Sequence, residues 1–313
     1  MGVYHVSGLG LNPGGLTLPL SHVYLSLKAA REGDERAKRF FRFSGRGGGG
    51  KPEVIVVFTS REVITGEREV SCRDLWFNTQ GKTATKVIAR YLSSLLSHYG
   101  FQLSDLPEFY FIEVNYMDFE DCFRKAYPTL YAMRAKEVWV NMVGGTNQIN
   151  AALLWSGCVT AVPSRYYYYF QAGQLLHPDR DKDDFFLDFS SWYELPFFSL
   201  KLGDIIGTLN GILAGGKASV AQLEWVLRNN GMDKQYIPKL VASRLVEIDD
   251  RGVVLRGEML DYWDRVLGEV KSDVERFAGS FEELDFSRWK KWASGRGILY
   301  TMTEDGEAMK LDG

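Results

Sequence analysis

Two short segments of this 313-residue chain carry residue types suited to holding a polar ligand. "VSGLGLNPGGLT" (Val6–Thr17) combines four glycines and a proline with Ser7, Asn12 and Thr17. "NMVGGTNQ" (Asn141–Gln148) sets Gly144 and Gly145 ahead of Thr146, Asn147 and Gln148. Glycine admits positive φ and lets a backbone approach a ligand closely. Hydroxyl and amide side chains donate to phosphate oxygens or base edges. Gly8, Leu9, Gly10, Asn12, Thr17, Asn141, Gly144, Gly145 and Gln148, with Lys82, are the candidate ligand contacts. Ser7, Thr146 and Asn147 are the candidates for catalysis on the bound group. The plain alternative is a pair of tight strand-to-helix turns. A nicotinamide cofactor is not expected: Gly8-Leu9-Gly10 lacks the third glycine of the dinucleotide fingerprint, and no suitable carboxylate follows.

Other chemistries fall away on spacing. Cys72, Cys122 and Cys158 stand far apart, with no CxxC or His/Cys pattern for zinc, and read as reduced core thiols. The run "HPDRDKDDFFLD" (His177–Asp188) gathers Asp179, Asp181, Asp183 and Asp184, but adjacent acids on a turn point apart, so it reads as a solvated loop. Gly47–Gly50 is a loop without the Gly-Lys-Ser/Thr of a phosphate-binding motif. No metal and no cofactor are expected. His5 reads as a hydrogen-bonded core histidine. In "RYYYYFQ" (Arg165–Gln171), Tyr167 and Tyr169, or Tyr166 and Tyr168, share a face and would either stack on bases or pack the core.

The elements that must position these segments alternate strand and helix over the first two hundred residues. Val3–Leu9, Val54–Ser60, Glu108–Val114 and Glu137–Val143 are short apolar runs. Leu16–Arg31, Thr83–Gly100 and Asp118–Ala135 have helical periodicity, the last with Pro128 as a kink or break. Arg165–Gln171 and Phe185–Ser190 read as two closing strands. The pattern predicts an α/β fold: a Rossmann-like, mostly parallel sheet with helices on both faces, spanning residues 1–200. After that the texture changes. Ser219–Gly231 and "DKQYIPKLVASR" read as helices, and "RLVEIDDRGVVLRG" as two strands turning at Asp250-Arg251-Gly252. That is the order of a smaller winged helix-turn-helix-like domain, residues 201–313, with a long amphipathic helix at Asp261–Phe277. The tail "GILYTMTEDGEAMKLDG" has a similar strand-turn cadence.

Hydrophobic residues at 45% and charged residues at 25% match a soluble globular protein. The net charge of −3 argues against a surface that coats nucleic acid throughout. Met1-Gly2 leads straight into an apolar strand without a basic segment, and no apolar run is long enough to span a bilayer, so a cytoplasmic location away from membranes is expected.

The two glycine segments together resemble the paired motifs of the CARF family, the CRISPR-associated Rossmann fold. Members typically carry an Asn-x-Thr-Gly-Gly-Thr-Lys-like segment where this chain has Asn141-Met142-Val143-Gly144-Gly145-Thr146-Asn147. The resemblance covers roughly residues 1–200, and the winged-helix-like remainder is similar to the C-terminal part of several CARF proteins. It implies a homodimer with a symmetric cleft that binds a cyclic oligoadenylate, cyclic tetra-adenylate foremost. It further implies a ring nuclease that linearises the ring without metal, by in-line attack of a 2′-hydroxyl, and so switches off type III CRISPR signalling. Asn147 stands where the family often has lysine, so Lys82, Arg61 or Arg165 would have to supply a cation. The alternative is a cyclic oligoadenylate-responsive transcription regulator without catalytic activity, with DNA as a partner of Lys234, Lys239, Arg244, Arg251 and Arg256. A HEPN-type effector ribonuclease is not expected, because none of His5, His22, His98 and His177 follows an arginine at that motif's spacing.

Overall fold

The computed structural model describes residues 2–41, 50–70, 82–169, 189–195 and 202–312. The chain opens with strand β1 (Val3–Gly8) and helices α1 (Gly14–Arg31) and α2 (Glu35–Phe40). Strand β2 (Pro52–Thr59) follows, then α3 (Arg61–Thr65), α4 (Ala84–His98), β3 (Glu108–Glu113) and α5 (Phe119–Ala132). Strand β4 (Glu137–Asn141), helix α6 (Asn147–Thr160) and strands β5 (Ser164–Tyr169) and β6 (Trp192–Leu195) complete the first part. Strands β3, β2, β1, β4 and β5 lie side by side and parallel in that order, as the apolar runs predict.

Pleating explains why helices must cover both faces. Val54, Val56 and Phe58 of β2 point into one core, and Ile55 and Val57 into the other. One core is closed by α1 and α4, the other by α5 and α6. Local signals set the helix ends. The Thr83 hydroxyl caps α4 by accepting from Lys86 N–H at 3.2 Å. Asp118 caps α5 from Glu120 and Asp121 N–H. Pro128 neither breaks nor ends α5, which continues to Ala132.

The closing strand differs from the expected one. Of Phe185–Ser190, only Phe189 and Ser190 are described, and they belong to a single 3₁₀ turn, Phe189–Ser191. The strand antiparallel to β5 is β6, with Tyr169 opposite Trp192.

The second part runs α7 (Leu202–Ile212), β7 (Lys217–Ser219), α8 (Val220–Asn229), α9 (Ile237–Ala242), β8 (Val246–Ile248) and β9 (Val253–Arg256). Its three strands form an antiparallel sheet in the order β7-β9-β8. Ser219 and Gln222 make a reciprocal capping box at the start of α8. Then come α10 (Glu258–Ala278), α11 (Phe286–Gly295), β10 (Leu299–Met302) and β11 (Ala308–Lys310). This last hairpin does not stay with the small sheet. Strand β10 pairs antiparallel with β3, so the large sheet has eight strands. The reason is visible in its pleat: Leu299 enters one core of the large sheet and Tyr300 the other. Helix α11 is pinned to α5 on the way back, where Trp289 Nε1 donates to Thr129 Oγ1 at 2.9 Å. Among the described residues, no helix is long and apolar enough to cross a membrane.

Candidate functional site

In an open α/β sheet the strand order reverses at a switch point, and ligands favour the crevice at the carboxyl ends there. Here the reversal falls between β1 and β4, whose ends pair as Ser7 opposite Asn141. Both glycine segments leave the sheet at that point. They meet backbone to backbone. A Cβ on Gly8 would stand 2.8 Å from Gly145 Cα and 3.0 Å from the Gly144 carbonyl oxygen. A Cβ on Gly15 would stand 3.0 Å from Gly144 Cα. Gly145 itself has φ +78°. These glycines are therefore required first by the contact of the two loops with each other. Gly10 is the exception, since a Cβ there meets nothing within 4 Å.

The polar candidates divide by burial. Asn141 is buried and braces two backbone groups and a side chain: its Nδ2 donates to Gly15 O at 2.8 Å and Ser7 Oγ at 3.1 Å, and its Oδ1 accepts from Val143 N–H at 2.8 Å. Ser7 is fully buried and donates to the Gly8 carbonyl at 2.8 Å. Thr17 is buried in α1, with no partner for its hydroxyl. As folded, these three support the crevice from behind and do not face a ligand. Leu9 is also buried, and its backbone bonds to Phe58 O and Thr59 Oγ1, tying the loop to β2. The rim is formed by Gly10, Asn12, Gly145, Thr146, Asn147 and Gln148, of which Asn12 and Asn147 are exposed. Asn12 Oδ1 already accepts from Gly14 N–H at 2.9 Å. Thr146 caps α6 by accepting from Ile149 N–H, and its hydroxyl donates to the Tyr116 carbonyl at 3.1 Å. The first N–H groups of a helix lack intrahelical partners, so those of Asn147 and Gln148 belong to the rim.

The three candidate cations occupy different places. Arg165 is 5% exposed, ion-paired with Glu194 and stacked over Trp139 and Phe40. It holds the core together and cannot serve the crevice. Lys82 is half-buried just before α4, where its carbonyl accepts from Val70 N–H at 3.2 Å. Arg61 begins α3 at the carboxyl end of β2, on the same sheet edge as the crevice.

Behind the site, His5 is buried on β1 with neither ring nitrogen hydrogen-bonded. It is a core histidine as expected, but not a hydrogen-bonded one. Burial, reinforced by the Arg165 guanidinium, lowers its pKa to about 3. The tyrosine run also serves the core: Tyr166 donates to Leu153 O at 3.1 Å, and Tyr167 stacks on Trp192 at 4.0 Å. The acidic stretch 177–188, Gly47 to Gly49 and Cys72 lie outside the described residues.

No family model matches the chain. A protein of Archaeoglobus fulgidus, described as uncharacterized, is 38% identical over 302 residues, covering 88% of this chain and 92% of that one. This chain belongs to that protein's family. For the family member described here, two solved structures give lower similarity. Csm6 of Enterococcus italicus, bound to cyclic hexa-2′-fluoro-hexa-dAMP, aligns with 88% of the chain at 11% identity and a TM-score of 0.39. Can2 from Sulfobacillus thermosulfidooxidans, in complex with cyclic tetra-adenylate, aligns with 88% of the chain at 8% identity and a TM-score of 0.31. The chain spans 55% and 64% of the length of these two proteins.

Sequence reading passed over the segment after β3. Asn115, Tyr116 and Met117 stand at the same carboxyl edge, and Met117 is 72% exposed. Their composition is that of any turn. The signal lies in Thr146 reaching across to the Tyr116 carbonyl, which only the folded chain shows.

Proposed function

We propose that the crevice between β1 and β4 binds a cyclic oligoadenylate, cyclic tetra-adenylate foremost, across a dimer of this chain. The observation that carries the reading is the abutment of the two glycine loops at the switch point of the sheet, with the start of α6 on its rim. Backbone N–H groups at a helix start hold phosphate oxygens without a large positive field. That suits a chain of net charge −3. A two-fold dimer would duplicate the loops and match a ring with its own symmetry.

Ring cleavage is the finer part of the proposal. It needs the 2′-hydroxyl in line with the neighbouring phosphorus: as it attacks it gives its proton to water, a 2′,3′-cyclic phosphate forms, the bond from phosphorus to the 5′-oxygen breaks, and that oxygen takes a proton from water. The protein's share would be positioning by Thr146 and Asn147. Ser7 contributes from behind the backbone, since its hydroxyl is buried and already donates to Gly8 O. Binding is therefore expected to exceed cleavage in strength.

Filter binding against cyclic tri-, tetra- and hexa-adenylate, followed by product analysis without metal, tests both parts. Absence of binding at micromolar ring overturns the proposal. Tight binding with no linear product after hours removes the nuclease and leaves a binding protein. The order α7-β7-α8-α9-β8-β9 supports the second reading, a winged-helix regulator that reads DNA. Against it, Arg228, Arg244 and Arg256 are each ion-paired, with Glu224, Glu258 and Asp261. Gel shifts on the operon region at two salt concentrations decide it: a salt-sensitive shift is required.

A further inference from the structure

The carboxyl edge continues past the crevice into a recess of about 320 Å³ between the ends of β2 and β3. That is the lower range of small-ligand sites. The recess and crevice share a wall, because the Tyr116 carbonyl that accepts from Thr146 belongs to a residue lining the recess.

Three carboxylates line it, and two of them, Glu113 and Asp121, are hydrogen-bonded within the fold. At Glu62 the neighbouring Ser60 hydroxyl keeps the carboxyl below the usual range. Glu113 accepts from Tyr300 OH at 2.8 Å. Asp121 accepts from Asn115 N–H and Lys125 Nζ, both at 2.7 Å. That ion pair also occupies Lys125, whose side chain is 11% exposed. Arg61 differs. Its side chain is 66% exposed, and the carboxylate paired with it, Glu67, stands 4.0 Å away, beyond hydrogen-bond reach. A guanidinium keeps its charge and offers a fork that fits phosphate oxygens. Beside it are Tyr116, half-buried and packed against the core, and the exposed amide of Asn115, whose Oδ1 accepts from Met117 N–H at 3.3 Å. An aromatic face stacks on any base, and an asparagine amide matches the amino edge of adenine.

We infer that this recess is a nucleotide subsite: the Tyr116 ring stacks on an adenine, Asn115 meets its amino edge, and Arg61 holds the adjoining phosphate. The inference rests on the proposed crevice reading, which it extends by one nucleotide. It also gives the sheet edge the cation that Asn147 does not provide.

The test measures binding of cyclic tetra-adenylate and of adenosine 5′-monophosphate to the full chain. Arg61→Gln should weaken ring binding about tenfold or more, and the slope of log affinity against log salt should become shallower by about 0.7. Tyr116→Ala should cost about tenfold with the salt slope unchanged, while Tyr116→Phe, which keeps the ring, should bind as the wild type does. Arg228→Gln, on the remote helix α8, should change nothing. Thermal midpoints of the variants confirm that each is folded. Equal ring binding by wild type, Arg61→Gln and Tyr116→Ala overturns the subsite and leaves the crevice reading intact. Binding of the monophosphate but not the ring, lost in Arg61→Gln, keeps the subsite and overturns the ring. Binding of neither overturns both.

Discussion

Between β1 and β4 the edge of the sheet is made of backbone. Gly8, Gly15, Gly144 and Gly145 pack main chain on main chain, and the amide that organises them, Asn141, is sealed behind. Two strands away, between β2 and β3, the same edge is made of side chains: exposed Arg61 and Asn115 and the half-buried Tyr116 line a recess. The first arrangement offers N–H groups in a fixed geometry and leaves no room for a Cβ. The second offers charge and an aromatic face that tolerate change. A ligand spanning both would take its orientation from the crevice and part of its affinity from the recess.

Substitutions should separate the two regions in proportion. In Gly144→Ala the new Cβ is driven into the Gly8 carbonyl, which is backbone and cannot step aside. The loss should be about 3 kcal/mol in denaturant unfolding. At Gly10 the Cβ meets open space, and the change should stay within about 0.5 kcal/mol. Equal stability of the two variants would break the comparison. Asn141→Ala strands Gly15 O and Val143 N–H and should cost about 2.5 kcal/mol. Asn115→Ala in the recess should be near neutral in the same assay.

The pH response sharpens the contrast from within β1. With His5 lowered to about 3 in the folded chain and near 6.5 when unfolded, the unfolded state takes up the proton first. Stability from this group is complete above pH 6.5 and falls as pH drops towards 3. Between pH 7 and 5 the loss should be about 2 kcal/mol. His5→Leu should flatten that part of the profile. An unchanged slope would mean that the ring is accessible to protons. A smaller loss than at Gly144, Asn141 or His5 belongs to the residue joining the two regions. Thr146→Ala should cost about 1 kcal/mol through the α6 cap, and Thr146→Ser should recover most of it. A null result at Thr146 would separate crevice from recess.

Much of the sheet was legible in the sequence because its signal is local. The β-branched run at 54–57 can only be a strand buried on both faces, and β1 to β5 begin and end within a few residues of their apolar patterns. The glycine loops were legible as strand ends for the same reason. What could not be read was which polar side chain faces out. Ser7 and Thr146 look equivalent in a string, yet one is sealed under the Asn141 amide and the other stands on the rim. Arg165 looks like an available cation until Glu194, Trp139 and Phe40 enclose it.

By itself, then, the sequence determined the parallel α/β sheet and the placing of glycine and amide residues at two strand ends. Both depend on neighbours a few positions apart. Tertiary structure alone decided that the two ends abut, across 134 residues from Ser7 to Asn141. It alone sent the hairpin at 299–310 back to the large sheet and left a recess beside the crevice. Burial and strand adjacency depend on the packing of the whole chain, and residue type does not encode that distance.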